Sequence, residues 1–330
     1  MGMRRRGRAA CVAGSWLLAV LAMGCVERRS PKTVIAVLPK GTSHEFWKSI
    51  HAGALKEAEN HGVEILWSGP LREDARAEQV KVVENAINSG VQGIVLAPMD
   101  NKALVAPAEE ARREGIPVVI IDSGLDWDGM VSFVATDNFK GGEMGAEHLG
   151  TLLEGKGKAI LMRYQVGSAS THEREEGFLK VMAERYPGIE LLSTNQYAGA
   201  SVASAQKVGE TLLSRHPDVG GIFCPNESAT FGMLRALQEG GLAGKVIFVG
   251  FDGTEILARA LENGEIHGLV LQNPFRMGEL GVRVMMDHLA GKSVEKRIDT
   301  GVTVATRENM NDPAIKELLT PDLSQWLKSP

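Results

Sequence analysis

The feature that most constrains the fold is a regular alternation of short, β-branched apolar runs with longer segments of helical periodicity. Predicted strands cover 33–38, 63–67, 93–97, 117–121, 131–135, 158–163, 190–193, 220–224, 246–251, 267–271 and 302–305. Between most of them lie amphipathic helices such as 44–60, where apolar residues recur at helical spacing. This alternation predicts an α/β fold with parallel sheets that helices cover on both faces.

An internal repeat indicates two similar doubly wound lobes, for which 330 residues with 44% hydrophobic content are sufficient. The segment VQGIVLAPMDNKALVAPAEEARREGIPVVIIDSG (91–124) aligns with VGGIFCPNESATFGMLRALQEGGLAGKVIFVGFDG (219–253), and the alignment pairs Asp122 with Asp252. Each aspartate directly follows a predicted buried strand. Because ligands of open parallel sheets bind at the carboxyl ends of the strands, we expect both carboxylates to face one cleft.

Three chemical roles for Asp252 lack the residues that they require. A phosphatase-type aspartyl nucleophile requires a second aspartate two positions earlier, where this chain has Gly250. A dinucleotide site requires G-x-G-x-x-G after the first strand, where the chain reads PKGTSHEFW. A helical zinc site requires two histidines four residues apart, but His44 and His51 are seven apart. No catalytic residue, cofactor or metal is therefore predicted.

Two roles for the paired aspartates remain open. An ionised carboxylate accepts two short hydrogen bonds from neighbouring hydroxyl groups, each of which contributes about 1.5–3 kcal/mol, and in this way it binds a polyol. Aspartate is also a favoured helix N-cap. The recurrence of Asp122 and Asp252 at equivalent strand ends favours ligand contact.

The N-terminal residues 1–24 are typical of a secretory signal. Arg4, Arg5, Arg6 and Arg8 precede an apolar run at 11–24 that is too short to span a bilayer. The run ends in LAMGC, which is similar to the cleavage site of lipoprotein signals, and ordinary cleavage nearby is the alternative. We therefore expect export to the periplasm or the cell surface, with a lipid on Cys25 as the membrane anchor.

Processing changes the charge and the cysteine content of the chain. Removal of residues 1–24 takes away four arginines and no acidic residue, so the formal net charge moves from −5 to about −9. An exported acidic domain is a poor nucleic-acid binder. Cys11 leaves with the signal and Cys25 carries the lipid, so Cys224 has no disulfide partner and is expected to be a small buried hydrophobe.

Over residues 33–305 the chain resembles the sugar-binding periplasmic binding proteins typified by the ribose-binding protein. The motifs that carry the resemblance are EFWKSIHAGALKEA, VVIIDSG, VATDNFKGGEMGA, STHEREEGF, HPDVGGIFCPNE, VGFDGT and VLQNP. It implies the type I fold, in which two lobes joined by three crossovers close on a ligand. The implied N-terminal lobe is 33–136 plus 273–301, and the C-terminal lobe is 137–272 plus 302–308. A tether at 25–32 precedes them, and a tail at 309–330, expected to pack as a helix and a strap, follows them.

The resemblance also implies a set of ligand contacts in the cleft. The residues that match the family are Phe46, Trp47, Asp122, Arg174, Asn226, Asp252 and Gln272. Lys40, His44 and Ser123 differ from the residues of ribose binders at positions of the cleft, although His44 also suits a helix-start role. Ala200 stands where the family has an aromatic residue, for which the nearby Tyr197 is a candidate substitute. These departures argue against a simple pentose and predict a hexose or a cyclitol, with an anionic derivative as a further alternative.

The function that the resemblance implies is capture of a sugar or polyol by a monomer and its delivery to the permease of an ABC importer. A ligand-sensing subunit for a histidine kinase or a chemoreceptor is the alternative, because the binding chemistry is identical. A LacI-type regulator shares the fold but requires a helix-turn-helix before the first strand, where residues 1–30 have a signal sequence instead.

Overall fold

The computed structural model of the protein describes Gly2 and residues 32–327. The rest of the expected signal sequence, Cys25 as the expected site of lipid attachment and most of the expected tether lie outside the described residues, as do residues 328–330. In the described part of the chain, no helix has both the length and the apolar character needed to cross a membrane.

In residues 32–327, twelve strands form two separate six-stranded sheets. The strands are β1 (Val34–Leu38), β2 (Glu64–Trp67), β3 (Gly93–Leu96), β4 (Val118–Ile121), β5 (Phe133–Ala135), β6 (Gly157–Arg163), β7 (Ile189–Tyr197), β8 (Gly221–Phe223), β9 (Ile247–Phe251), β10 (Gly268–Leu271), β11 (Arg297–Asp299) and β12 (Thr303–Ala305). The first sheet has the order β11-β5-β4-β3-β1-β2, and the second has the order β12-β10-β9-β8-β6-β7. The chain therefore passes between the sheets three times, after β5, after β10 and after β11.

Ten helices of the described part of the chain surround these sheets. They are α1 (Glu45–His61), α2 (Arg76–Asn88), α3 (Val105–Arg113), α4 (Asn138–Leu152), α5 (Ala169–Arg185), α6 (Val202–Arg215), α7 (Glu227–Glu239), α8 (Glu255–Glu262), α9 (Pro274–Leu289) and α10 (Pro313–Leu319). Apolar side chains from both faces of each sheet form buried clusters with the covering helices. The predicted fold class, two α/β lobes with helices on both faces of each sheet, is confirmed.

Two details of the sheets differ from the sequence prediction. Strand β11 was not predicted, because its three residues RID include two charged side chains and pair only with β5 at the sheet edge. Strand β12 runs antiparallel to β10, whereas the other neighbouring pairs are parallel. The link from β11 to β12 is only 300–302, too short to return to the amino end of the second sheet.

The C-terminal tail packs on the second lobe. Leu319 at the end of α10 is buried, and Met310, Ile315 and Leu318 contact the same core cluster. A Cβ atom on Gly253 would lie 2.8 Å from the Cα atom of Leu319, so the end of α10 lies directly over the turn that follows Asp252.

Reciprocal glycine contacts bring two helices together in each lobe. In the first lobe, a Cβ atom on Gly53 of α1 would lie 1.9 Å from a backbone oxygen of α9, and one on Gly278 of α9 would lie 2.0 Å from a backbone oxygen of α1. In the second lobe, Gly142 of α4 and Gly177 of α5 approach the partner helix in the same way, at 1.9 and 2.2 Å. Helices α1 and α5 both begin beside the cleft, so this packing positions their first turns.

We expect Gly278→Ala to lower the free energy of unfolding by about 1–3 kcal/mol, because the added methyl group must push α9 away from α1. Denaturant unfolding of the purified protein measures this change. His288→Ala, at an exposed position of the same helix, should change stability by less than about 0.5 kcal/mol. A Gly278→Ala protein as stable as the parent would contradict the close approach.

Candidate ligand-binding site

A cavity with about 320 Å³ of empty volume lies where the carboxyl ends of strands from both sheets meet. Nine of the eleven predicted ligand contacts line it: Lys40, His44, Phe46, Trp47, Asp122, Arg174, Asn226, Asp252 and Gln272.

Asp122 and Asp252 directly follow β4 and β9, and both have a left-handed backbone, with φ of 62° and 70°. This conformation costs a residue with a side chain about 1–2 kcal/mol, so the surrounding structure must hold it. The helix-cap role is wrong for Asp252, because Thr254 caps α8 and accepts a hydrogen bond from the Leu257 amide at 3.2 Å. It is also wrong for Asp122, because the next element along the chain is β5.

Arg174 is at the centre of a buried hydrogen-bond network. Its guanidinium donates from Nε to Asn138 Oδ1 at 2.9 Å, from Nη1 to the Pro225 carbonyl at 2.9 Å and from Nη2 to Gln272 Oε1 at 2.8 Å. It also lies over the ring of Phe251, with its Cζ atom 4.1 Å from the ring centroid. These contacts fix the plane of the guanidinium, and its remaining N–H groups are donors available to a ligand in the cavity.

The Asp252 carboxylate is held from two sides. Its Oδ1 atom accepts a hydrogen bond from Gln272 Nε2 at 2.7 Å, and its Oδ2 atom accepts one from the Glu227 amide at 2.9 Å. Burial raises the pKa of Asp252, although Arg174 and these hydrogen bonds favour its ionised form. Each oxygen retains a lone pair that a ligand hydroxyl can use.

Lys40 compensates the charge of Asp122. The Lys40 ammonium lies 2.7 Å from Asp122 Oδ2 but outside hydrogen-bonding geometry, and it donates to Ser170 Oγ of the opposite lobe at 3.0 Å. Both charged side chains are almost fully buried. Asp122 Oδ2 accepts no hydrogen bond from residues 32–327, so this carboxylate keeps lone pairs for a ligand hydroxyl.

A second buried ion pair joins His44 to Glu73, with 2.6 Å between His44 Nδ1 and Glu73 Oε1. Burial alone would lower the pKa of His44, but the attraction and hydrogen bond of Glu73, with weaker attraction from Glu227 and Asp252, raise it to about 9. Burial likewise opposes ionisation of Glu73, yet His44, Lys40 and the hydroxyl group of Tyr164 lower its pKa to about 2. His44 is therefore an imidazolium at neutral pH.

Glu227 of the second lobe caps helix α1 of the first. The N-cap residue His44 makes no side-chain capping bond, and the carboxylate of Glu227 instead accepts hydrogen bonds from the amides of Phe46 at 3.0 Å and Glu45 at 3.3 Å. Burial raises the pKa of Glu227 to about 7, which His44 and the α1 amides oppose. This contact connects the two lobes across the cavity.

Phe46 and Trp47 supply the apolar wall of the cavity. Their rings meet edge to face, with centroids 5.0 Å apart at 88°, and both side chains are largely buried in the first lobe's core. An aromatic face suits the C–H groups of a sugar ring.

Ser123 and Tyr197 lie outside this cavity. Ser123 is fully buried behind it, where its hydroxyl accepts a hydrogen bond from the Ser170 amide at 3.1 Å. Tyr197 is 41% exposed and lines a neighbouring cavity with Arg163. Ala200, which stands where the family has an aromatic residue, is buried. Tyr197 does not replace that aromatic residue, because it does not line the central cavity.

Five lining residues were not predicted: Glu73, Tyr164, Ser170, Thr171 and Glu227. Tyr164 follows β6 directly, so the strand-end rule that selected Asp122 would also have selected it. Glu73 lies in the charged loop between β2 and α2, where nothing in the sequence distinguishes it from its neighbours.

Metal-ligating side chains and the Cys224 thiol are the other candidates for chemistry in residues 32–327. Residues 32–327 contain no group of three or more His, Cys, Asp or Glu side chains that could hold a metal ion. The Cys224 thiol is buried in the core of the second lobe, and burial raises its pKa well above the usual range. It therefore stays protonated and packs as a small apolar group.

Two α/β lobes that enclose a polar cavity at their strand ends define a binding protein of the two-lobed periplasmic class. The chain belongs to the family described as periplasmic binding protein domain, whose model matches residues 35–293. It is 30% identical to the D-allose-binding periplasmic protein of Escherichia coli, over 76% of this chain and 83% of that one. It is 28% identical to the ribose import binding protein of Bacillus subtilis, over 81% of this chain and 85% of that one. The solved structure of an ABC transporter solute binding protein from Agrobacterium vitis, with bound D-fucose, is 36% identical in sequence and has a TM-score of 0.84. The match covers 87% of this chain and 99% of that one.

We expect Arg174→Lys to lower the free energy of unfolding by about 2–4 kcal/mol, because an ammonium group cannot reach all three acceptors and leaves buried oxygens without partners. Arg185→Lys, at the exposed end of the same helix, is the matched control and should stay within about 0.5 kcal/mol of the parent. Both values come from denaturant unfolding. Equal stability of the two variants would contradict the network around Arg174.

Proposed function

We propose that this protein captures a neutral monosaccharide or cyclitol between its lobes and releases it unchanged. The observation that carries the proposal is the pair of buried carboxylates, Asp122 and Asp252, which come from equivalent strand ends of the two sheets and line one cavity with the Arg174 fork. Hydroxyl groups can donate to both carboxylates and accept from the guanidinium at the same time.

The charges of the cavity favour a neutral ligand over an anionic derivative. Lys40 neutralises Asp122, His44 neutralises Glu73, and Arg174 reaches Asp252 through Gln272. Each cation is thus already matched to a carboxylate, and Glu227 adds a further buried acidic group. A phosphate or carboxylate group would enter without an unpaired cation to balance it, which is costly in a buried site.

The ligands named for similar proteins support a small sugar as the ligand of this protein. The names of the similar proteins include D-allose, ribose and D-fucose, each a single sugar ring. Lys40 and His44 line the cavity of this chain, and Tyr164 rather than a residue at position 200 supplies its third aromatic ring. The changed wall supports a hexose or a cyclitol rather than D-ribose.

Delivery to the permease of an ABC importer is the role that the relatives support, because their printed names describe import binding and ABC transporter solute binding. In this role the protein works outside the cytoplasmic membrane, and a lipid on Cys25 would keep it near the permease. Four to six charge-assisted or amide hydrogen bonds, set against an association cost of about 4–15 kcal/mol, give an affinity in the range of about 1 μM.

Isothermal titration with D-fucose, D-allose, D-ribose, myo-inositol and glucose 6-phosphate tests the ligand class. We expect heat from a neutral hexose or from the cyclitol and none from the phosphosugar. Binding of D-ribose alone would overturn the proposed specificity, and binding of the phosphosugar alone would overturn the neutral class.

Asp252→Asn should weaken binding of the tightest neutral ligand by about 10- to 150-fold, because one charge-assisted hydrogen bond contributes about 1.5–3 kcal/mol. The same titration measures the change. Asp128→Asn, at an exposed position of the loop that follows Asp122, is the control and should leave the affinity unchanged. Unaltered binding by Asp252→Asn would remove the central support of the proposal.

A further inference from the structure

We propose that Glu73 is the positioning residue of the ligand site: it holds His44 as a charged donor toward the ligand, orients Trp47, and links both to the opposite lobe through Tyr164. The inference rests on the proposed function, because it assigns the group that selects an oxygen acceptor on the bound sugar.

Glu73 meets three donors with its two carboxylate oxygens. Oε1 accepts a hydrogen bond from Trp47 Nε1 and forms the ion pair with His44 Nδ1, each at 2.6 Å. Oε2 accepts one from the Tyr164 hydroxyl, also at 2.6 Å. The Glu73 side chain is only 6% exposed, so these bonds are made where water competes little. One loop residue therefore fixes two side chains that line the cavity.

The contacts of Glu73 also cross the cleft. His44 and Trp47 belong to the first lobe, whereas Tyr164 follows β6 of the second. The Glu73 carbonyl oxygen accepts a further hydrogen bond from Gln165 Nε2 of the second lobe at 2.9 Å. The bonds from Tyr164 and Gln165 form only when the lobes are closed, so the arrangement of His44 and Trp47 is completed by closure.

The bond to Glu73 determines what His44 can offer a ligand. The His44 side chain lines the cavity, and its Nδ1 atom faces Glu73. Its Nε2 atom has no hydrogen-bond partner among the described residues. As an imidazolium, His44 can only donate from Nε2. The site then requires a hydroxyl or ring oxygen at that point and rejects an ammonium group, which sets neutral sugars apart from amino sugars.

Any test must distinguish the effect of Glu73 on the pKa of His44 from the effects of the other charged groups nearby. Glu227 from α7 and Asp252 from the end of β9 also attract its positive charge, and Lys40 faces Glu73 across the same cavity. All of these remain in a Glu73→Gln variant. Loss of the Glu73 charge should therefore leave burial as the main influence on His44, and the imidazole should become neutral near pH 7.

The first test follows the His44 ring by NMR over pH 5–10 in the full chain, with the signal assigned from a His44→Asn spectrum. We expect a midpoint near 9 in the parent, below about 6.5 in Glu73→Gln, and recovery above 7.5 in Glu73→Asp. Tyr164→Phe removes only the bond across the lobes and should keep the midpoint above 7.5. A parent midpoint between 6 and 7 would overturn the proposal, even if no variant folds.

The second test measures D-fucose binding at pH 5.5 and pH 8.5 by isothermal titration. Glu227 and Asp252 titrate in both proteins, so the decisive quantity is the difference in pH dependence between Glu73→Gln and the parent. We expect the variant to lose about tenfold more affinity than the parent over this interval, and an equal loss would overturn the role of His44 as a charged donor. If the parent does not bind D-fucose, D-allose or myo-inositol is used in its place. Absence of binding to all three would count against the proposed function, and the NMR midpoints would still decide the role of Glu73.

Discussion

The structure of the site depends on the cost of burying charge. Four carboxylates and three cationic side chains line one small cavity, and an unpaired ion there would cost several kcal/mol. The fold meets this constraint by setting a cation or a row of backbone amides against each carboxylate. Lys40 faces Asp122, His44 faces Glu73, and the first amides of α1 face Glu227. The cavity is polar and highly charged, yet close to neutral.

Several of these partnerships join the two lobes, which connects the electrostatics to motion. Lys40 donates to Ser170, Tyr164 donates to Glu73, and Glu227 caps α1. In the proposed function, closure would exchange water for these protein partners at charged groups, which is a nearly balanced exchange. A ligand that adds hydrogen bonds only in the closed form can then shift the equilibrium between open and closed forms.

The aspartates and the helix-start residues of the site rest on a rigid support. The reciprocal glycine contacts hold α1 against α9 and α4 against α5, which fixes the first turns of α1 and α5 within their own lobes. Part of the site lies elsewhere: Glu73 is in a loop, and its position is set by the three side chains that donate to it. Glu73 therefore contributes to the site from a loop, whereas Asp122 and Asp252 contribute from the ends of strands.

The sequence by itself determined the alternation of strands and helices, the repeat and the pairing of Asp122 with Asp252, because periodicity and strand ends are local properties of the chain. It missed β11, whose pairing depends on a neighbour more than 160 positions away, and the reversed direction of β12. Only the tertiary structure decided that Glu73 and Glu227 belong to the site and that Tyr197 lies beside it. Their roles come from burial and from partners in the opposite lobe, and no local pattern records which distant groups will share a cavity.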